Sequence, residues 1–262
     1  MKKIIYKFLI PFEGNGKDKM VKWASLIIVP VIIWFILPNN IFPPLLDILG
    51  AIPTLLDKND LIDNFSISLI FCFKSMFYAS LIAFVFMLIA RIPLFESFAI
   101  FCRKFRFLPS VGLSFLFMKL NTSGSISVTM SWMMIFGITT YMIDGAVGIA
   151  LSISKDDVNY AKSLRLSKWE IFRELVIYNK FPSFLIMAVS NFAIAWMLLA
   201  SVENIAKSSG GIGVILAESG KYFKLENIYA LQLLILFTGI IVDYIFNFLI
   251  NWKYPYLSLK KA

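Results

Sequence analysis

Lys74, Asp144 and Asp243 each interrupt a long apolar run. An ionisable group in such a run marks a solute or ion pathway, a charge pair, or a side chain reaching for an interface. Lys74 lies in the first half of its run, where it can snorkel to the nearer interface or face a pathway. Asp144 lies deeper and fits either a polar interior contact or a substrate role. Asp243 stands near the end of its run and reads as interfacial. Thr129, Ser131, Thr139 and Thr140 offer hydroxyls to a polar path or to helix packing. The turn Ser208 to Gly213 carries Gly210, Gly211 and Gly213, which permit tight backbone conformations. It is either a gate-side re-entrant element or a surface loop.

Bond-making chemistry has little to work with. The chain has no histidine, the commonest general base and metal ligand. Cys72 and Cys102 lie far apart in apolar surroundings and suggest neither a zinc site nor a disulfide framework. Asp156–Asp157 is a single adjacent acidic pair, and a helix start explains it. No GxxxxGK[ST] nucleotide loop is present. No catalytic residue, metal site or cofactor is expected.

The elements that must position these residues are membrane helices. Of 262 residues, 59% are hydrophobic and 16% charged, against about 45–50% and about 25% in soluble domains. That excludes an ordinary soluble enzyme, a disordered chain and a disulfide scaffold. Runs of roughly 20 apolar residues mark spans. Six are expected: Val21–Leu37, Ile67–Ala90, a broken or kinked Phe98–Leu120 containing Pro109, Ser125–Ile153, Pro182–Val202 and Ile228–Ile250. The fold class is an all-α polytopic membrane protein. A tail at 1–20 leads into a transmembrane domain at 21–252, and a second tail covers 253–262.

The basic residues orient this bundle. Six Lys lie in the N-terminal tail and the first residues of the first span, and four Lys or Arg lie from the end of the second span to the first part of the broken third. Six more lie between the fourth and fifth, and three in the C-terminal tail, so one face holds 19 of the 25. By the positive-inside rule both termini are cytoplasmic. The net charge of +9 is then a topology signal in a multi-pass inner-membrane protein, not a nucleic-acid footprint.

The connection Lys155–Pro182 reads KDDVNYAKSLRLSKWEIFRELVIYNKFP. Asp156 and Asp157 suit a helix start, and Tyr160, Ala161 and Leu164 follow at helical spacing. Ser167 and Glu170 form a capping-box pattern that restarts a helix, with Trp169, Phe172, Leu175 and Val176 as its apolar face. Two short helices joined at a bend are expected. They either rest on the membrane interface or dock a soluble partner.

This stretch resembles the EAA loop of ABC importer permeases. Asn159, Tyr160 and Ala161 stand where that motif has Glu-Ala-Ala, and Arg165 stands where it has Gly. Ser167, Lys168, Trp169, Ile171, Phe172 and Arg173 match directly. Tyr178 replaces the first of two prolines, and Pro182 matches the second. Arg165 puts a Cβ where the bend favours positive φ. The segments Phe42-Pro43-Pro44, Phe105 to Pro109, Trp196 to Glu203 and Ser208 to Gly213 resemble the nitrate/taurine/sulfonate type of these permeases.

The resemblance implies a type I importer permease bundle whose coupling loop spans 155–182. It implies a second permease subunit, a cytoplasmic ABC ATPase dimer that supplies the ATP chemistry, and an extracytoplasmic solute-binding protein. The coupling residues would be Asn159, Tyr160, Ala161, Leu164, Arg165, Ser167, Trp169 and Phe172. Pathway or gate candidates are Lys74, Thr139, Thr140, Asp144, Ser208, Gly210, Gly211 and Gly213. The alternatives are the membrane scaffold of a vitamin-type ABC importer, a polytopic membrane enzyme and a secondary carrier.

Overall fold

The computed structural model describes residues 42–58, 61–121, 124–205 and 210–255, with Ala24, Ser25, Ile28, Ile32 and Trp34. The expected N-terminal tail, the expected C-terminal tail beyond Pro255, Ser208 and most of the expected first span lie outside these residues. The five isolated positions in that span are helical. Every regular element among the described residues is a helix.

Helix α1, Leu45–Lys58, buries Ile48, Ala51 and Leu55 at three- and four-residue spacing, one face of a helix. Helix α2, Leu61–Ile89, is followed by a chain broken into short pieces. These are α3 (Pro93–Cys102), 3-10 turns at Arg103–Phe107 and Ser110–Leu113, and α4 (Ser114–Leu120). Pro109 explains the main break. It lacks an N–H, and it holds Leu108 extended at φ −82° and ψ 119°. The expected kinked third span is thus in pieces, each too short to cross a bilayer alone.

Helix α5, Ile126–Leu151, forms the most extensive pair with α2. Small α2 residues make the close approach possible: Ser68, Cys72, Ser75, Ala79 and Ala83 are all buried. Methionines 130, 133, 134 and 142 fill the α5 side. Gly145 lets α5 meet a later helix, because a Cβ there would lie 2.6 Å from Met187 Cγ.

After α6 (Lys155–Ser163) comes the largest departure from the sequence expectation. The second short helix does not stop before the fifth span. Helix α7 (Lys168–Phe172), a π segment at Arg173–Tyr178, α8 (Phe181–Ser190) and α9 (Phe192–Ile205) run as one 38-residue helix. Pro182 is tolerated because it lies in the first turn of α8, and the π segment absorbs the missing N–H. Helix α10, Ile212–Lys221, and α11, Leu225–Lys253, complete the chain.

Among the described residues, four helices are long and apolar enough to cross a membrane: Leu61–Ile89, Ile126–Leu151, Lys168–Ile205 and Leu225–Lys253. Helix α11 has the highest mean hydropathy, 2.3, yet buries only Ala230 and Leu231 fully. Its remaining apolar surface suits lipid rather than water.

Candidate coupling loop and gate

The structure gathers the functional candidates at the two ends of the bundle. At one end lies the loop formed by α6 and the start of α7. Ser154 caps α6: its hydroxyl accepts the Asp157 N–H at 3.0 Å, and Asp157 Oδ2 accepts the Ser154 N–H at 3.0 Å. The expected Ser167–Glu170 box is present at α7, at 2.7 and 3.3 Å. Each box satisfies two backbone donors at a helix start, and losing a cap of this kind costs about 1 kcal/mol.

Helix α6 ends where the sequence places the bend. The Arg165 N–H donates to Lys162 O at 2.9 Å, and the Leu166 N–H to Ala161 O at 3.4 Å. This is the Schellman pattern, which needs a left-handed residue. Arg165 fills it at φ +56°, a position favouring glycine by about 1 kcal/mol. The strain fixes the angle between α6 and α7.

That angle sorts the loop into two faces. Ala161 and Val176 are buried, and Phe172 is half-buried beneath the loop. Phe172, Leu175 and Val176 line a cavity of about 250 Å³ with Arg91 and Ile153. Arg91 closes this end by donating to the Ile153 carbonyl. Tyr160, Leu164 and Trp169 point away, exposed by 69%, 56% and 66%. Asn159 and Ser167 lie beside them, also exposed. Trp169 stacks on Phe172 at 5.7 Å, which ties the exposed face to the packed one. Tyr160, Leu164 and Trp169 thus form an exposed apolar face raised among charged neighbours.

The capping boxes also make the loop sensitive to acid. The Ser154 hydroxyl and N–H hold the Asp157 carboxyl below its ordinary 3.8, and those of Ser167 hold Glu170 below its ordinary 4.5. A lowered carboxyl pKa stabilises the fold above the ordinary value, and that stability is lost as pH falls through the folded value. Amide hydrogen exchange at Ser154 and Ser167, whose N–H groups the two carboxylates accept, is therefore expected to stay protected from pH 7 down to about 5, then to lose protection at lower pH. Equal protection at pH 7 and pH 3 would contradict the boxes.

Asp144 is ion-paired in this arrangement. Its Oδ1 accepts Arg103 Nε at 2.7 Å, and its Oδ2 pairs with Arg106 Nη1. Gly148, one turn further along α5, leaves room for the Arg103 guanidinium, 4.0 Å from where a Cβ would lie. The carboxylate thereby clamps the broken third segment to α5. In the sequence these arginines read only as topology charges.

At the other end, the Gly-rich turn is pinned by Glu203. Glu203 lies on α9 and is 1% exposed. Its Oε1 accepts the Ser68 hydroxyl at 2.6 Å, and its Oε2 accepts the Gly213 N–H at 2.7 Å. Ser68 in turn accepts the Ile212 N–H at 2.9 Å, and Asn64 Oδ1 accepts the Gly211 N–H at 2.7 Å. Glycine is required here: Gly210 and Gly211 have φ of +74° and +110°. A Cβ on Gly211 would lie 2.5 Å from the Glu203 carboxylate. The available signal was Glu203 at the end of an apolar run, just ahead of three glycines. Asn64 and Ser68, one turn apart on an apolar helix, were a second.

Lys74 sits near the middle of α2 and lines a cavity of about 390 Å³ with Ser127, Ser131, Glu203 and Gly210. Thr139 and Thr140 are buried elsewhere on α5. Thr140 donates to its own helix at Gly137 O, 2.8 Å. Thr139 Oγ1 is buried without a hydrogen-bond partner among the described residues.

Helices this apolar, with a raised polar loop at one end and a pinned Gly turn at the other, define a multi-pass membrane transport component. The sequence model of the family described as binding-protein-dependent transport system inner membrane component matches residues 26–260. The chain belongs to that family and is the permease part of an ABC transporter. No curated protein matches it in sequence.

Proposed function

We propose that the chain forms half of an importer's solute pathway and couples it to a separate cytoplasmic ATPase through the loop at 155–182. The observation that carries this reading is the 38-residue helix Lys168–Ile205. At 1.5 Å per residue it spans about 55 Å. Trp169, beside the docking face, is on its first turn, and Glu203, which pins the Gly turn, is on its last. A displacement of the loop by a closing ATPase is passed along this continuous helical segment to the end that holds the gate.

On this reading the loop face and both termini are cytoplasmic, and the Gly turn faces the extracytoplasmic solute-binding protein. The exposed surface of α11 is available to lipid or to a second permease subunit. The nitrate/taurine/sulfonate type is the subfamily we infer from the segment resemblances. The chain itself carries no nucleotide loop, so hydrolysis belongs to the partner.

Purification from native membranes in mild detergent tests the proposal. An ATPase and a second permease subunit, identical or different, are expected to co-elute with this chain. Recovery of the chain alone at full yield would contradict its coupling to a separate ATPase.

A further inference from the structure

We propose that α1, Leu45–Lys58, lies along the membrane surface and sinks one apolar side into the acyl chains of the leaflet at the Gly-turn end. This needs only the membrane-spanning class established above and is independent of coupling to an ATPase. The described side chains of α1 fall into three sectors around its axis. Ile48, Ala51 and Leu55 are buried, and the helix packs chiefly on α11. Leu45, Leu49 and Leu56, four and seven apart, form a second apolar stripe with Leu46 on its flank, and all four are exposed. Asp47 and Thr54, seven apart, occupy the remaining side and are also exposed.

A surface helix in water needs one apolar stripe to dock. Helix α1 has two, and the described residues leave the second uncovered. A helix lying in an interface beside a bundle meets protein, acyl chain and water, and the three sectors match these surroundings. Its depth is set at both ends. Just before it, Phe42 meets Trp34 and Tyr229, with ring centroids 5.2, 5.3 and 5.9 Å apart, and Trp34 Nε1 donates to Pro43 O at 3.1 Å. Trp and Tyr gather where acyl chains give way to headgroups. Just after it, Leu61 begins the membrane-spanning α2. A helix of 14 residues, about 21 Å long, whose two ends sit at that level runs along the surface instead of rising from it.

The uncovered stripe also continues into a surface that suits lipid. Helix α11, on which α1 packs, has mean hydropathy 2.3 and exposes Phe237, Ile240 and Ile241. Apolar contact, not charge, carries the attachment. Asp47 is the one ionisable group among the side chains described in α1, so they offer headgroup phosphates no cation. The partner is the hydrocarbon of a bilayer, whatever its headgroups. By holding the start of α2, the attachment fixes the depth of Asn64 and Ser68, which bond the Gly turn.

Spin labels test this on the full-length chain, with the subunits that accompany it, in nanodiscs of phosphatidylcholine. Single cysteines replace Leu46, Leu49, Leu56, Asp47 and Thr54 in turn. The native Cys72 and Cys102 are buried, and the unsubstituted chain carried through the same labelling gives the background. Phe237→Cys on the exposed side of α11 is the lipid reference. The readout is collision with oxygen, which concentrates in acyl chains, against a water-soluble nickel chelate. At Leu46→Cys, Leu49→Cys and Leu56→Cys the oxygen-to-nickel ratio is expected to exceed that at Asp47→Cys and Thr54→Cys by at least about 3-fold, since an interfacial helix sinks its apolar face about 5–10 Å. The same order is expected with phosphatidylglycerol added.

Three results would overturn the proposal. Labels at the leucine positions that meet nickel as readily as those at Asp47 and Thr54 would place α1 in water. Labels that meet neither reagent would place the stripe under another protein surface. A raised oxygen ratio that appears only with phosphatidylglycerol would make the attachment electrostatic. None of these outcomes bears on ATPase coupling, which co-purification scores separately.

Discussion

Gly213→Ala is expected to destabilise the chain by about 3 kcal/mol, the upper range for overpacking a rigid core. The added methyl would lie 2.5 Å from the Ala200 carbonyl oxygen and 2.7 Å from Glu203 Cβ. Neither can swing away, because the first is backbone and the second is a Cβ fixed by its helix. Relief requires α10 to separate from α9, and that breaks the Gly213 N–H bond to Glu203. Gly220 is the matched control on the same helix: an added Cβ there meets nothing within 4 Å. Gly220→Ala is expected to be neutral or to gain up to about 1 kcal/mol from helix propensity. Thermal unfolding in detergent separates the two. Equal effects would mean that the packing of α10 on Glu203 is not what holds the turn.

Asp144→Ala is expected to cost about 2 kcal/mol and to loosen the third segment from α5. Two charge-assisted contacts are lost, each worth about 1.5–3 kcal/mol when shielded. The arginine side chains are 33% and 43% exposed, so solvent screening reduces the sum. The two guanidinium groups are left without their counter-charge beside an apolar helix. The triple variant Asp144→Leu, Arg103→Leu, Arg106→Leu is expected to recover most of the loss, since an apolar replacement of a partly buried charge cluster is often neutral. If the single variant unfolds at the wild-type temperature, the clamp contributes nothing.

The ends of this protein were legible in the sequence to different degrees. At the loop the local signals were strong. Ser167 and Glu170 are three apart, and Arg165 stands where a bend favours positive φ; both appear in the structure as read. These are short-range effects, decided by residues within one turn. The long helix was misjudged because Pro182 reads as a start. A π segment lets the chain continue through it, which periodicity does not reveal. The partners of Asp144 and Glu203 were not legible for the opposite reason. Arg103, Arg106 and Ser68 lie 38 to 135 positions away from them, and only the packing of the helices brings them together. A charge counted toward a loop or a span says nothing about such pairings until the helices are placed.

Lys74 was ambiguous for a related reason. Snorkelling and pathway roles look alike in sequence, because both need only a lysine in an apolar run. Only the placed helices show that Lys74 lines a cavity with Ser127, Ser131 and Glu203.

The central claim is that the exposed face of α6 receives an ATPase and that the long helix carries its motion. Leu164 is the centre of that face, 56% exposed and flanked by Tyr160 and Trp169. It packs against nothing that membrane insertion needs. The deciding measurement is ATPase recovery with Leu164→Asp, purified beside wild type from the same membranes. The account predicts wild-type levels of inserted permease with ATPase recovery reduced at least about 10-fold, as expected for a charge buried in an apolar interface. Full recovery of the ATPase, with transport unchanged, would contradict it.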